Sequence, residues 1–412
     1  MTTSTAGKRD NTVAALRVNP DWAKLPLFDR SKWQRVRFGD VVENLNETER
    51  NPEEAGIERF IGLEHLEPGS LHIRTWGNIA DGTTFTRRCR PRQLLFGKRR
   101  AYQGKVAVAE FDAVVSGDIY VFAPKNERLL PELLPFLCIS ERFFKFAVET
   151  SAGSLSPRTN WSHLVDFEFD LPPLDQQRCI AEILLAVNRD LQLYLKQSSR
   201  ALDLLRALCE KLCWSEQWRE REIKSIASSE LGSFVDGDWI ESKDQSSEGI
   251  RLLQLADIGD GRFLNKSDRY ISEQTFSQLK CTEVMPGDML ISRMADPIGR
   301  ACIVPNLGTR MITAVDCAIV RIDTDTQDPD YWLYMTGTSR WRQAVASKAG
   351  GSTRMRISRK NLEGLRVPMP ALDYQIQSAR RMRVIQQCVD SSRVHANHLH
   401  QILSVLLSTV FQ

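Results

Sequence analysis

The stretch Leu171-Pro172-Pro173-Leu174-Asp175-Gln176-Gln177 is echoed by Met369-Pro370-Ala371-Leu372-Asp373-Tyr374-Gln375. The offset is 198 residues (369 against 171), close to half of a 412-residue chain. Gly153-Ser154-Leu155-Ser156-Pro157-Arg158 and Gly351-Ser352-Thr353-Arg354-Met355-Arg356 match at the same offset, as do Leu164 with Leu362 and Asp118 with Asp316. A slightly different offset aligns Leu95-Phe96-Gly97-Lys98-Arg99 with Leu290-Ile291-Ser292-Arg293-Met294, and Gly104-Lys105 with Gly299-Arg300. Trp33-Gln34-Arg35-Val36-Arg37-Phe38 similarly echoes Trp218-Arg219-Glu220-Arg221-Glu222-Ile223. An ordered series of matches in register marks a tandem duplication, and small loop insertions account for the drift.

Each Pro-containing stretch leads into a helical pattern. Ile180, Leu184, Val187, Leu191, Tyr194, Ser198, Ala201, Leu205, Leu208 and Leu212 recur at alternating spacings of four and three. Met382, Ile385, Val389, Ser392, Ala396, Leu399, Leu403, Leu406 and Val410 keep the same rhythm, and no Pro interrupts either run. This is a heptad seam. Each helix of about 36 residues would be about 54 Å long, and each stripe needs cover, so the two seams are expected to bury one another. A centred antiparallel pairing faces Ser198 with Ser392 and sets bulky Tyr194 against small Ala396. A parallel register would face Tyr194 with Ser392 and Ser198 with Ala396. Size complementarity favours the antiparallel one.

Ahead of each helix lie short apolar runs and turns. Val114-Val115-Ser116-Gly117-Asp118-Ile119-Tyr120-Val121-Phe122 and Cys317-Ala318-Ile319-Val320-Arg321-Ile322 read as strands, and Pro286-Gly287-Asp288 and Pro124-Lys125-Asn126 as turns. The expected class is α+β: two globular mixed α/β domains separated by two long antiparallel coiled-coil helices, related by a pseudo-twofold duplication. The expected division is an extension at 1–30, a first domain at 31–170, a central helix at 171–214, a second domain at 215–368 and a final helix at 369–412.

Composition excludes several classes. The chain is 42% hydrophobic and 26% charged, an ordinary globular balance, and its formal net charge is only +3, so any polyanion must meet local patches. No run of about 18 uncharged apolar residues is present, and Met1 to Asp10 lacks the apolar stretch of a secretory signal. The nine cysteines are scattered, with no Cys-x-x-Cys, which suits reduced thiols in a cytoplasmic protein. Cys209 and Cys213 sit one helical turn apart, but no His or third Cys joins them.

Catalytic motifs are lacking. No Gly-x-x-x-x-Gly-Lys-Ser/Thr occurs. Asp170-Leu171-Pro172-Pro173-Leu174 lacks the aromatic of a methyltransferase Asn-Pro-Pro-Tyr turn. Glu222-Ile223-Lys224 is the one stretch resembling part of a metal-nuclease signature, and it reads better as a solvated charged face. Of the six histidines, His65, His72 and His163 stand apart, while His395, His398 and His400 do not share a helix face.

Positive charge is the informative signal. Arg87, Arg88, Arg90, Arg92, Lys98, Arg99, Arg100 and Lys105 follow one another with no acid among them. Arg340, Arg342, Lys348, Arg354, Arg356, Arg359 and Lys360 do so in the second half. Tyr102, Gln103, Trp341, Gln343, Ser352 and Thr353 are interleaved. Cations neutralise phosphates, and Arg and Gln pair with guanine and adenine edges. Gly97, Gly104, Gly153, Gly350 and Gly351 would let backbone come close to a ligand. The expected DNA-contacting set is Lys98, Arg99, Arg100, Tyr102, Gln103, Lys105, Ser154 and Arg158 in the first half, and Arg293, Arg300, Ser352, Arg354, Arg356 and Arg359 in the second. The plainer alternative is a pair of solvated basic faces or a duplicated scaffold that holds protein. A stand-alone DNA-modifying enzyme is the third reading.

The Trp33 and Trp218 starts, the Leu171–Gln177 stretch with its echo, and the Gly153 and Gly351 loops together resemble the specificity subunit of a type I restriction-modification system, along nearly the whole chain after Trp33. The resemblance implies two target-recognition domains reading the halves of a split, asymmetric DNA sequence, with the helices as spacer. It implies no catalytic residue and no metal on this chain. It also implies methyltransferase (modification) subunits docked on the helices, a restriction/translocase subunit beside them, and S-adenosylmethionine, ATP and magnesium held by those partners. Ala371 in place of Pro173, and Gln176 and Tyr374 where the family usually has an acid, depart from the pattern.

Overall fold

The computed structural model describes residues 25–153, 156–230, 232–294, 297–351 and 354–411. The chain divides into two compact units. The first comprises residues 1–195 and 394–412, and the second residues 196–393. Both boundaries fall inside the long helices, Leu174–Cys213 and Leu372–Val410, because each helix gives one half of its apolar stripe to each unit.

In the first unit, Gln34–Arg37 pairs antiparallel with Glu168–Leu171, so the start of the domain is tied to the strand that leads into the helix. A four-stranded antiparallel sheet has the order Val42–Leu45, Ile119–Pro124, Leu94–Gly97, Val106–Val108. A second sheet has the order Gly77–Asn78, Arg59–Ile61, Ala113–Val115, Arg87–Cys89, with its central pair parallel. Leu94, Leu95, Phe96, Val121 and Phe122 are fully buried. The expected run at Val114–Phe122 is two strands, broken at Gly117-Asp118, and the break places Asp118 at the foot of the neighbouring loops.

The second unit repeats this plan. Glu220–Glu222 pairs with Arg366–Pro368. One sheet runs Phe234–Asp236, Cys317–Val320, Met289–Ser292, Ala301–Ile303. The other runs Gln245–Ser246, Arg269–Ile271, Ile250–Leu253, Met311–Thr313, again with one parallel pair. The two copies differ at the edge of this smaller sheet. The first adds Arg87–Cys89 beside the parallel pair, and the second adds Gln245–Ser246 at the far side. Short helices match as well: Ser140 caps Glu141–Glu149 and Thr338 caps Ser339–Lys348, each with its hydroxyl accepting a backbone N–H.

Every position of both seams is buried or half-buried. In the first unit Ile180, Leu184 and Leu191 share a core with Ala396, Leu403, Leu406, Val410 and Phe411. The early half of one helix thus packs on the late half of the other, and Tyr194 stacks on His395 at 4.8 Å. In the second unit Leu205, Cys209 and Leu212 share a core with Ala379 and Met382. That order within each unit is antiparallel.

The glutamines at the helix starts explain the repeated Pro-containing stretch. Gln177 is buried, donates to Pro172 O (2.8 Å) and Arg128 O (2.7 Å), and accepts from Leu130 N (2.9 Å). Gln375 donates to Pro370 O (2.9 Å) and Gln327 Oε1 (3.0 Å) and accepts from Asp328 N (2.9 Å). Each primary amide fastens the first turn of a long helix to the segment before it and to a crossing loop. The departures from the family pattern are also structural: Trp33 Nε1 donates to Gln176 Oε1 (2.8 Å), whereas Trp218 packs its ring on Tyr374 at 4.9 Å.

Phe411 lies at the end of the chain yet is only 2% exposed, within the first unit's core. Phe411→Ala should therefore cost about 3–5 kcal/mol, read by urea denaturation, and should lower amide-exchange protection in residues 174–195. An unchanged denaturation midpoint would show that the last turn is not part of that core.

Candidate nucleic-acid interface

In each unit two loops meet over one aspartate. In the first, the loop after Leu94–Gly97 carries Lys98, Arg99 and Arg100, then a short turn, Ala101–Gln103. Beside it stands a hairpin whose arms pair at Ala152 and Arg158, with Ala152 N donating to Arg158 O (3.0 Å) and Arg158 N to Ala152 O (2.9 Å). Gly153 has φ +111°, a region open to Gly and costly for other residues. Arg100 takes a left-handed backbone (φ 54°), a conformation uncommon for a residue with a Cβ. Its N–H donates to Pro157 O (2.8 Å) and its Nε to Ser156 Oγ (3.2 Å), so the strained residue is held by the hairpin.

Asp118 joins the parts. Its carbonyl accepts from Lys98 N (2.9 Å), and its carboxylate accepts from Arg158 Nε (3.0 Å) and lies 3.5 Å from Arg99 Nη1. The second unit repeats the arrangement. Gly351 has φ +110°, and a Cβ there would sit 2.5 Å from Arg354 O. Gly350 and Arg356 exchange two backbone bonds of 2.9 Å, Arg293 N donates to Asp316 O (2.8 Å), and Arg356 Nη2 lies 3.4 Å from Asp316 Oδ1.

The expected contact residues divide sharply. Tyr102 is 60% exposed, Arg100 and Arg158 are exposed, and Arg99 and Gln103 are half-buried. Arg354 is exposed and has no partner among the described residues. Arg356 is half-buried, and Arg359 is exposed with Nε 3.4 Å from Glu363. Ser154 and Ser352 lie outside the described residues.

Others are turned inward. Lys105 Nζ donates to Leu63 O (2.6 Å). Lys98 Nζ lies 4.9 Å from the Tyr120 ring centre, and burial, then Arg87, pulls its pKa down. Arg293 is 5% exposed; its guanidinium pairs with Asp236 and donates to Ile357 O (3.1 Å) and Val315 O (3.1 Å). Arg300 donates to Ile258 O (2.7 Å) and Leu255 O (2.9 Å). These two fasten backbone, as Lys105 does in the first unit.

The acid-free runs of cations are likewise answered by the fold. Arg88 binds Asp112 (2.5 Å), Arg90 binds Glu47 (2.6 Å) and Arg92 binds Glu132 (2.6 Å). Trp341 is fully buried with Nε1 on Gly299 O (2.8 Å), Arg340 donates to Trp214 O (3.2 Å), and Arg342 pairs with Asp260. Conversely, Trp239 is 68% exposed, on the segment after Asp236, and the charge pattern gave no hint of it. Among the described residues no group of His, Cys, Asp and Glu could hold a metal ion. Glu222 and Lys224 pair with each other on the surface at 2.6 Å. No described helix is long and apolar enough to cross a membrane.

In both units paired loops thus present arginine beside a Gly-hinged hairpin, and the first adds Tyr102 and Gln103. Residues 30–198 match the family described as Type I restriction modification DNA specificity domain. The type I restriction enzyme MjaVIII specificity subunit of Methanocaldococcus jannaschii is 18% identical over 409 residues, 91% of this chain and 92% of the relative. Two solved structures share the fold. One is the type I restriction-modification system S subunit from M. genitalium (TM-score 0.62, 12% identity, 94% of this chain and 98% of that one). The other comes from work on complex assembly and conformational transition of the type I system (TM-score 0.54, 19% identity, 92% and 97%). The family match thus falls on the first half of the chain, and the relatives that are similar along most of its length carry the name of type I restriction enzyme specificity subunits.

Burial pushes the thiols of Cys89, Cys209, Cys302 and Cys317 up to about 12. Cys179 is exposed and Cys388 half-buried. At pH 8 an aromatic disulfide reagent should therefore titrate two thiols rapidly in native protein and nine after denaturation. Rapid native modification of Cys209 or Cys317 would contradict the packing of those two side chains.

Proposed function

We propose that this chain is the sequence-reading, non-catalytic subunit of a type I restriction-modification complex, and that each unit reads one half of a bipartite, asymmetric site in double-stranded DNA. The observation that carries the reading is the doubled constellation: in each unit a Gly-hinged hairpin and a strand-end loop meet over one aspartate, while the side chains they expose differ. Arg100, Tyr102, Gln103 and Arg158 stand in the first, against Arg354, Arg356 and Arg359 in the second. Arginine forks and the glutamine amide suit base edges in the major groove, and the remaining cations suit phosphates. Unlike side chains on a like framework account for unlike half-sites.

On this reading methyltransferase subunits and a restriction/translocase subunit dock on the chain and bring S-adenosylmethionine, ATP and magnesium with them, and the complex works in the cytoplasm. The chain alone neither methylates nor cuts DNA. With methyltransferase subunits added, Arg100→Ala or Gln103→Ala weakens recognition of one half-site by about 1–3 kcal/mol, and Arg356→Ala weakens the other. Titration with duplexes altered in one half at a time measures this. Equal loss at both halves contradicts the division of labour, and binding that is absent or insensitive to salt favours a protein-holding scaffold.

A further inference from the structure

Asp118 and Asp316 occupy equivalent places 198 residues apart, and neither belongs to the surface proposed to touch DNA. Each is mostly buried (side chains 20% and 28% exposed), and each binds the last residue of its Gly-hinged hairpin, Arg158 or Arg356. Through its carbonyl each also holds the strand-end loop. One residue therefore fixes two loops and an arginine relative to one another, twice in the chain.

The atoms used have consequences. Asp118 grips Arg158 through Nε (3.0 Å), and both terminal amines of that half-exposed guanidinium have no partner among the described residues. An arginine anchored by Nε presents its two-pronged end outward, the geometry a guanine edge accepts. Without the carboxylate the side chain would be free to swing to the nearest phosphate. The charge would still attract DNA, but it would no longer select a base. The second clip is weaker. Asp316 meets Arg356 through Nη2 at 3.4 Å, so one prong of that guanidinium is already engaged, and Met294 stands where Arg99 supplies a second cation in the first.

We propose that Asp118 and Asp316 are positioning residues for base discrimination, one for each half-site, acting through Arg158 and Arg356. This rests on the DNA-reading function proposed for the chain. The test uses the full chain assembled with its methyltransferase subunits, and three kinds of duplex: the methylated site of the complex, the same site with one base pair changed in either half, and an unrelated sequence.

Asp118→Asn should reduce discrimination at one half-site roughly tenfold, the size of one lost bidentate contact. Affinity for unrelated DNA should hold or rise, because a negative charge is removed. Asp316→Asn should do the same at the other half, by less, and serves as the independent case if Asp118→Asn fails to fold. In an Arg158→Lys background the effect of Asp118→Asn should vanish, since the residue it acts through is gone.

A purely architectural role would instead lower affinity for all three duplexes along with the melting temperature. That outcome, or full discrimination by both variants beside a discriminating wild type, overturns the inference while leaving the DNA-reading function intact. A wild-type complex that discriminates at neither half removes both.

Discussion

Ile180, Leu184 and Leu191 are covered by Ala396, Leu403, Leu406 and Val410, and this burial of one helical stripe by another is the condition on which the rest depends. A fully buried Leu or Ile side chain is stabilised by about 1.5–3 kcal/mol relative to water. A helix of 40 residues with one apolar face has no other way to hide that face. The first unit is not built from a continuous piece of chain, because it borrows residues 394–412. The second is continuous but is closed by its own two ends, residues 196–213 and 372–393. The core of the first unit is therefore complete only when the last turn is in place.

This packing fixes where the loops begin. Gln177 and Gln375 lock each helix start to the chain before it, and the strands Glu168–Leu171 and Arg366–Pro368 carry that fix to the start of each domain. From there the two sheets set the ends of Leu94–Gly97 and Met289–Ser292, and the turn aspartates set the hairpins. The route from apolar seam to reading loop is the same in both copies. What differs is the edge strand of one sheet and the side chains at the end of that route.

The duplication, the α+β class and the helical seams were legible because periodicity and repeated spacing are properties of the chain itself. The antiparallel sense followed from the sizes of Tyr194, Ser198, Ser392 and Ala396. The basic runs were legible only as composition. Arg88, Arg90 and Arg92 have no acid nearby in sequence, but the sheet brings Asp112 and Glu47, and a distant turn brings Glu132. Lys98 and Lys105 align with Arg293 and Arg300, and the fold draws all four inward: Lys98 to the Tyr120 ring, Lys105 to the carbonyl at 63, Arg293 to Asp236 and Arg300 to the carbonyls at 255 and 258. Trp239 carried no periodic or charge signal at all. Pairing across strands decides which cations remain outside, and no local pattern encodes it.

The central claim is that two unlike readers on one chain share a single recognition event. Sequencing the methylated bases of DNA modified by the reconstituted complex tests it most directly. The account predicts two short, different half-sequences separated by a fixed stretch of unspecified bases. A single continuous recognition sequence, or two identical halves, would contradict it.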